Sequence, residues 1–86
     1  MNPTFTFHTD PGHGWLQVPV DFLKFVGLKI DDFTDYSYRS GDHVYLEEDC
    51  DASLFLKACE ASNIKPVIVE SSRDYDSFVR SLPSIR

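Results

Sequence analysis

Positive charge is scarce in this chain: eight lysines and arginines face fourteen aspartates and glutamates, for a formal net charge of −6. The eight basic residues are scattered, so no basic stripe forms and direct nucleic-acid binding is disfavoured. Cysteine is also scarce. Cys50 and Cys59 lie nine residues apart, about 13 Å along a helix, whereas a disulfide needs Cα atoms within about 7 Å. Both are expected reduced, with Cys59 in the core. No apolar run approaches the roughly 20 residues of a spanning helix, and Met1-Asn2-Pro3-Thr4 lacks the basic and apolar regions of a signal peptide, so the expected location is cytoplasmic. There is no glycine-rich phosphate loop, no nucleophile elbow and no paired-histidine helix. Carboxylates pair only inside an acidic block, where exposure leaves neither a good general acid. The expectation is a protein that is not an enzyme and has no cofactor.

What the chain has is an acidic stretch. Between residues 31 and 51, Asp31, Asp32, Asp35, Asp42, Glu47, Glu48, Asp49 and Asp51 stand against Arg39 alone. That stretch carries all of the net negative charge. An anionic face repels nucleic acid and acidic membrane and attracts basic surfaces such as the channels of nucleic-acid enzymes. The apolar share of 42% and twelve aromatic residues suffice for the core of one domain covering residues 1–86.

Patterning along the chain predicts an α+β domain: a small antiparallel or mixed sheet of about five short strands, with two to three helices on one face, in the order ββαββαβα. Strands are expected over Thr4–His8 and Trp15–Val18, joined by a type II turn at Asp10-Pro11-Gly12. Pro19 opens a helix carrying Phe22, Leu23 and Val26, and Gly27 ends it with Leu28 making the contact past the cap. Tyr36–Arg39 and His43–Glu47 read as a hairpin with Tyr36, Tyr38, Val44 and Leu46 on the buried face and His43, Tyr45 and Glu47 outward. A second helix runs from about Ala52 to Ser62 with Leu54, Phe55, Ala58 and Cys59 as its apolar stripe and Asn63 as a left-handed stop. Lys65–Glu70 is a strand, and Asp74 caps a last helix bearing Tyr75, Phe78, Val79 and Leu82, ended by Pro83.

The acidic block is most concentrated where a strand hands over to the second helix, and Asp49 or Asp51 would cap that helix. If Glu47 and Asp49 continue past Tyr45 on one side, they set out anions about 7 Å apart beside an aromatic ring. Such an array competes for the lysines and arginines that hold phosphates; a solvated face is the plainer account of the same charges. His8, Asp10 and His13 could gather around a transition metal, but their spacing fits no established ligand pattern and a tight turn explains Asp10 on its own. Trp15 is a core residue or an interface anchor.

The stretches Thr9–Leu16 and Tyr36–Ala52, with the likeness running on to Asp76–Pro83, resemble a group of uncharacterised small proteins of bacterial genomes, plasmids and phages. The resemblance implies an accessory protein of a mobile element, without implying a mechanism. Together these readings lead to the expectation of a non-catalytic inhibitor of a nucleic-acid-acting defence enzyme, anti-CRISPR or anti-restriction. Asp31, Asp32, Asp35, Asp42, Tyr45, Glu47, Glu48, Asp49 and Asp51 would meet a basic protein partner, a CRISPR effector or restriction enzyme. The alternative is a structural or regulatory module that pairs with itself or another protein through Trp15 and exposed tyrosines.

Overall fold

Alternation of large apolar and polar residues sets the strands, and a computed structural model, which describes residues 2–86, shows where each side goes. Strands β1 (Thr4–Thr9), β2 (Gly14–Pro19), β3 (Tyr38–Ser40), β4 (His43–Glu47) and β5 (Val67–Ser72) form one sheet in the order β3-β4-β2-β1-β5. All neighbours are antiparallel except β1 and β5, which run parallel. The fold is therefore α+β with a mixed sheet.

Helices α1 (Val20–Phe25) and α2 (Asp51–Ala61) supply the main core. Register places Phe7 opposite Leu16, Leu16 opposite Leu46 and Val18 opposite Val44, so these side chains share a face with Phe5. Leu23 of α1 and Phe55 and Cys59 of α2 close over it. Phe5 meets Phe55 and Phe22 edge to face, with centroids 5.3 and 5.2 Å apart. Burying each such side chain contributes about 1.5–3 kcal/mol. Both helices stop by the same device. Past α1, Gly27 (φ 81°) donates to Lys24 O and Leu28 donates to Leu23 O; past α2, Asn63 (φ 58°) donates to Glu60 O and Ile64 to Cys59 O. These are Schellman ends, with the residue after the stop returned to the core.

The opposite sheet face is covered by the C-terminus rather than left to solvent. In place of the expected helix from Asp74, a single 3₁₀ turn spans Phe78–Ser81, capped by Ser77, whose Oγ accepts from Val79 N. Ser77 N and the Arg80 guanidinium are both drawn onto the Asp10 carboxylate, which fixes this segment as one turn although its length would allow a longer helix. Val79 drops onto Trp15 and Tyr45, and all three are buried. Tyr38 pairs with Tyr45, so it lies on this face and not beside Val44 and Leu46. Tyr36 precedes the strand and is exposed, as is Tyr75, which was expected at the core edge.

Beyond the turn, the tail pairs with the outer edge of β3. Arg39 N donates to Pro83 O, Ile85 N donates to Ser37 O, and Tyr38 bridges Ser84. Ile85 then enters the main core. Among the described residues no helix is long and apolar enough to cross a membrane.

Candidate functional site

The β1–β2 turn does not use positive φ at Gly12; the glycines with positive φ are Gly27 and Gly41. Instead Asp10 Oδ1 accepts from the amides of Gly12 and His13, both at 3.0 Å, so the side chain closes the turn in place of the type II geometry. Its other oxygen accepts from Ser77 N at 2.9 Å and from Arg80 Nε at 2.6 Å, while Arg80 Nη2 donates to Oδ1 at 2.9 Å. The Asp10 carboxylate is fully covered. The Arg80 guanidinium, then these amides, hold its carboxyl far below the ordinary carboxylate range, and Arg80 is raised in turn by Asp10. Arg80 also lies over the Trp15 ring, 5.4 Å from its centroid.

This hub forms one wall of a cleft of about 370 Å³. The hairpin turn contributes His13 and Trp15; the segment before β3 contributes Asp35 and Tyr36; the β4–α2 turn contributes Glu47, Asp49 and Cys50. Asp51 ties the second segment to the third. Its carboxylate accepts from Thr34 N at 3.1 and 3.0 Å, Thr34 Oγ1 at 2.8 Å and Ser37 Oγ at 2.5 Å, and Ser37 Oγ accepts from Glu47 N at 2.9 Å. At the far end of that segment the C-terminal Arg86 donates to Phe33 O and pairs with Asp35 at 3.4 Å.

The nine residues expected to meet a partner therefore divide by role. Asp51 is buried, 2% exposed, and acts as an internal acceptor; it makes no side-chain cap on α2. Glu47 is also buried, its oxygens accepting from Asp49 N at 2.9 Å and Cys50 N at 3.1 Å to shape the turn into the helix. Tyr45 lies under the C-terminal segment, and burial pushes its phenol up from the ordinary value. Tyr45 and Glu47 correct the outward exposure read from strand alternation, and Asp51 corrects its reading as a cap on the acidic face. The face was read correctly for Tyr45 and Glu47, but a segment distant in sequence covers it.

Asp31, Asp32, Asp35, Asp42, Glu48 and Asp49 are exposed. Asp31 and Asp32 occupy a 3₁₀ turn, Ile30–Asp32, where Asp32 Oδ2 accepts from Lys29 N at 2.9 Å. Asp42 sits in the β3–β4 turn, separated from Glu48 and Asp49 by the whole of β4, roughly 20 Å. The acidic stretch is thus not one array. Asp35 and Asp49 are the exposed acids that converge on the cleft, beside Tyr36, a residue 71% exposed.

Sequence reasoning did not find Arg80, because its partner lies 70 residues away. Trp15 is buried at 2% exposure and so is no surface anchor. The metal alternative also dissolves in the geometry. His8 Nε2 is 2.7 Å from Gln17 Oε1, Asp10 is engaged by Arg80, and His13 Nδ1 is 3.0 Å from Arg80 Nη2 with its ring stacked on Trp15. Among the described residues no group of three or more metal-ligating side chains is placed to hold an ion.

Chemically, exposed carboxylates beside an aromatic ring suit a guanidinium or ammonium group, through charge-assisted hydrogen bonds and cation–π attraction. The chain contains its own example in Arg80, held between Asp10 and Trp15. No family model, curated protein or solved structure matches this chain. The functional reading therefore rests on the geometry.

Proposed function

We propose that this chain is a non-catalytic binding protein whose cleft receives a lysine or arginine from the basic surface of a partner protein. The observation that carries this reading is the convergence of Asp35, Asp49 and Tyr36 on one cleft at the acidic end of the molecule. Glu48 adds an exposed charge beside them. The partner is a nucleic-acid enzyme of a defence system, such as a CRISPR effector or restriction enzyme, a choice that fits the mobile-element setting the motif resemblance implies. Its basic channel, built to hold phosphates, supplies the cation. In this form the inhibitor fills a local basic pocket and does not copy a run of phosphates, because Asp42 lies apart and Glu47 and Asp51 are internal.

The test is capture from a host lysate with the tagged chain, washed at low and high salt, beside the triple variant Asp35→Asn, Glu48→Gln, Asp49→Asn. A nucleic-acid enzyme that is retained at low salt, elutes as salt rises and is not captured by the triple variant supports the reading, since exposed charge pairs weaken as the screening length falls from about 10 Å at 0.1 M to about 3 Å at 1 M. Equal capture by both proteins overturns it. Glu47 and Asp51 are excluded from that variant because both are buried and bonded within the fold.

A further inference from the structure

Strand β5 is a sheet edge on whose outer side no other strand pairs among the described residues. The sheet ends at β3 and β5, and the C-terminal tail occupies the outer side of β3. On β5, Val67 N donates to Pro3 O and Arg73 N to Thr9 O, so odd-numbered residues point their backbone groups at β1. Ile68, Glu70 and Ser72 therefore aim theirs outward. The same strand exposes Val67, Ile68 and Val69 at 47, 43 and 50%. An open edge with apolar side chains on both faces is a template for strand addition.

The geometry points to a second copy of this chain as the occupant, paired antiparallel through β5 to make one ten-stranded sheet across a two-fold axis. Two arguments select the copy. The first is register. A two-fold pairing keeps each side chain on its own face only when residues of like parity stand opposite each other. Setting Ile68 opposite Ile68 of the copy places Val67 against Val69 on one face and Ile68 against itself on the other. Ile68 exchanges two backbone bonds with its counterpart, and each Glu70 N–H donates to the Pro66 carbonyl across the axis. A shift by two in one direction sets Lys65 opposite Arg73 and Ile68 opposite Glu70, and a further shift sets Glu70 opposite itself; like charges directly opposed are destabilising. The apolar triplet is thus complementary to itself in one register.

The second argument is charge. The acidic stretch contains β3, β4 and the loops around them, across the sheet from β5. Residues 65 to 73 carry Lys65, Glu70 and Arg73, so two copies approach at a nearly neutral edge while their acidic ends stay apart. Because the tail occupies the other edge, pairing stops at two chains and does not grow into a filament.

Sedimentation equilibrium of the full chain over a wide concentration range tests this, beside Val69→Lys, with circular dichroism to check that the variant folds. A second arm needs no disrupting change: in a Cys50→Ser background, Ile68→Cys and Ser72→Cys are compared for disulfide formation under oxidised glutathione. The expected results are a reversible rise to twice the single-chain mass for the wild type, a single-chain mass for Val69→Lys, and rapid cross-linking of Ile68→Cys but not of Ser72→Cys. A wild type that stays single-chain at its highest soluble concentration overturns the inference and leaves the edge to another protein's strand. Equal cross-linking of the two cysteine variants, or a dimer that survives in folded Val69→Lys, overturns it in favour of a different surface.

Discussion

Asp10 and Arg80, 70 residues apart in sequence, meet in a two-pronged ion pair with Nε at 2.6 Å and Nη2 at 2.9 Å from the carboxylate oxygens. The pair fastens the C-terminal segment over Trp15 and Tyr45, and so builds one wall of the cleft. Asp10→Asn or Arg80→Ala should loosen that segment before the main core gives way. Trp15, the single tryptophan, reports it directly: its emission should shift to the red and its quenching by iodide should rise in native buffer. Unchanged emission in both variants would mean that the segment is held by Val79, Ile85 and the pairing of the tail with β3, without need of the ion pair.

The same pair sets an acid dependence. The Asp10 carboxyl is held below its ordinary value of 3.8 by Arg80 and the turn amides. Below the ordinary value the unfolded chain binds a proton that the folded chain refuses, so stability is full above about pH 4 and declines as pH falls through the folded value. Asp10→Asn should be less stable than the wild type at neutral pH and show a flatter decline in acid. Thermal melts from pH 7 down to strongly acidic buffer check this, and parallel declines in the two proteins would assign the acid loss to other carboxylates.

Asp51 should prove structural. Its removal as Asp51→Ala strands the Thr34 amide and two hydroxyls in the interior, at a cost of about 2–4 kcal/mol. Asp49→Asn and Glu48→Gln, on the surface, should stay within about 0.5 kcal/mol of the wild type. Denaturant unfolding measures both. Equal effects for Asp51 and Asp49 would contradict the division of the acidic stretch into internal and exposed members.

Gly14 is required by a close approach. A Cβ there would stand 2.5 Å from Phe7 Cζ, so Gly14→Ala should cost about 1–3 kcal/mol through displacement of the ring from the core. Phe7→Leu combined with Gly14→Ala should recover part of that loss, and strict additivity in the double variant would show that the contact is not the cause.

How far the sequence spoke for the fold depended on the range of each interaction. The stops at Gly27 and Asn63, the hairpin turn before His43 and most of the apolar stripe through Phe55, Ala58 and Cys59 are local patterns and were legible, whereas Leu54, read into that stripe, is exposed. Alternation correctly put Tyr45 and Glu47 on one face, but the burial of Tyr45 comes from Val79, more than thirty residues on, while Glu47 folds back on the amides of Asp49 and Cys50 in a turn that alternation does not register. The spacing of Tyr75, Phe78, Val79 and Leu82 suits a helix, yet a single turn capped by Ser77 suffices once Arg80 is anchored on Asp10. In the candidate site, Asp35 and Asp49 were legible as acids. Their meeting at one cleft with Tyr36 was not, since it depends on Asp51 fastening residues 34 and 37 to the start of α2.

The central claim is that the cleft takes a cationic side chain, and a nitrogen-15 NMR titration of the full chain with a short arginine-rich peptide tests it most directly. The account predicts shift changes concentrated at Asp35, Tyr36, Tyr38, Asp49 and Cys50, saturating with added peptide, weakened by salt and lost in the Asp35→Asn, Asp49→Asn double variant. Changes spread evenly over all the exposed acids, with Asp42 responding as strongly as Asp49, would contradict it and return the acidic stretch to the role of a solvated surface.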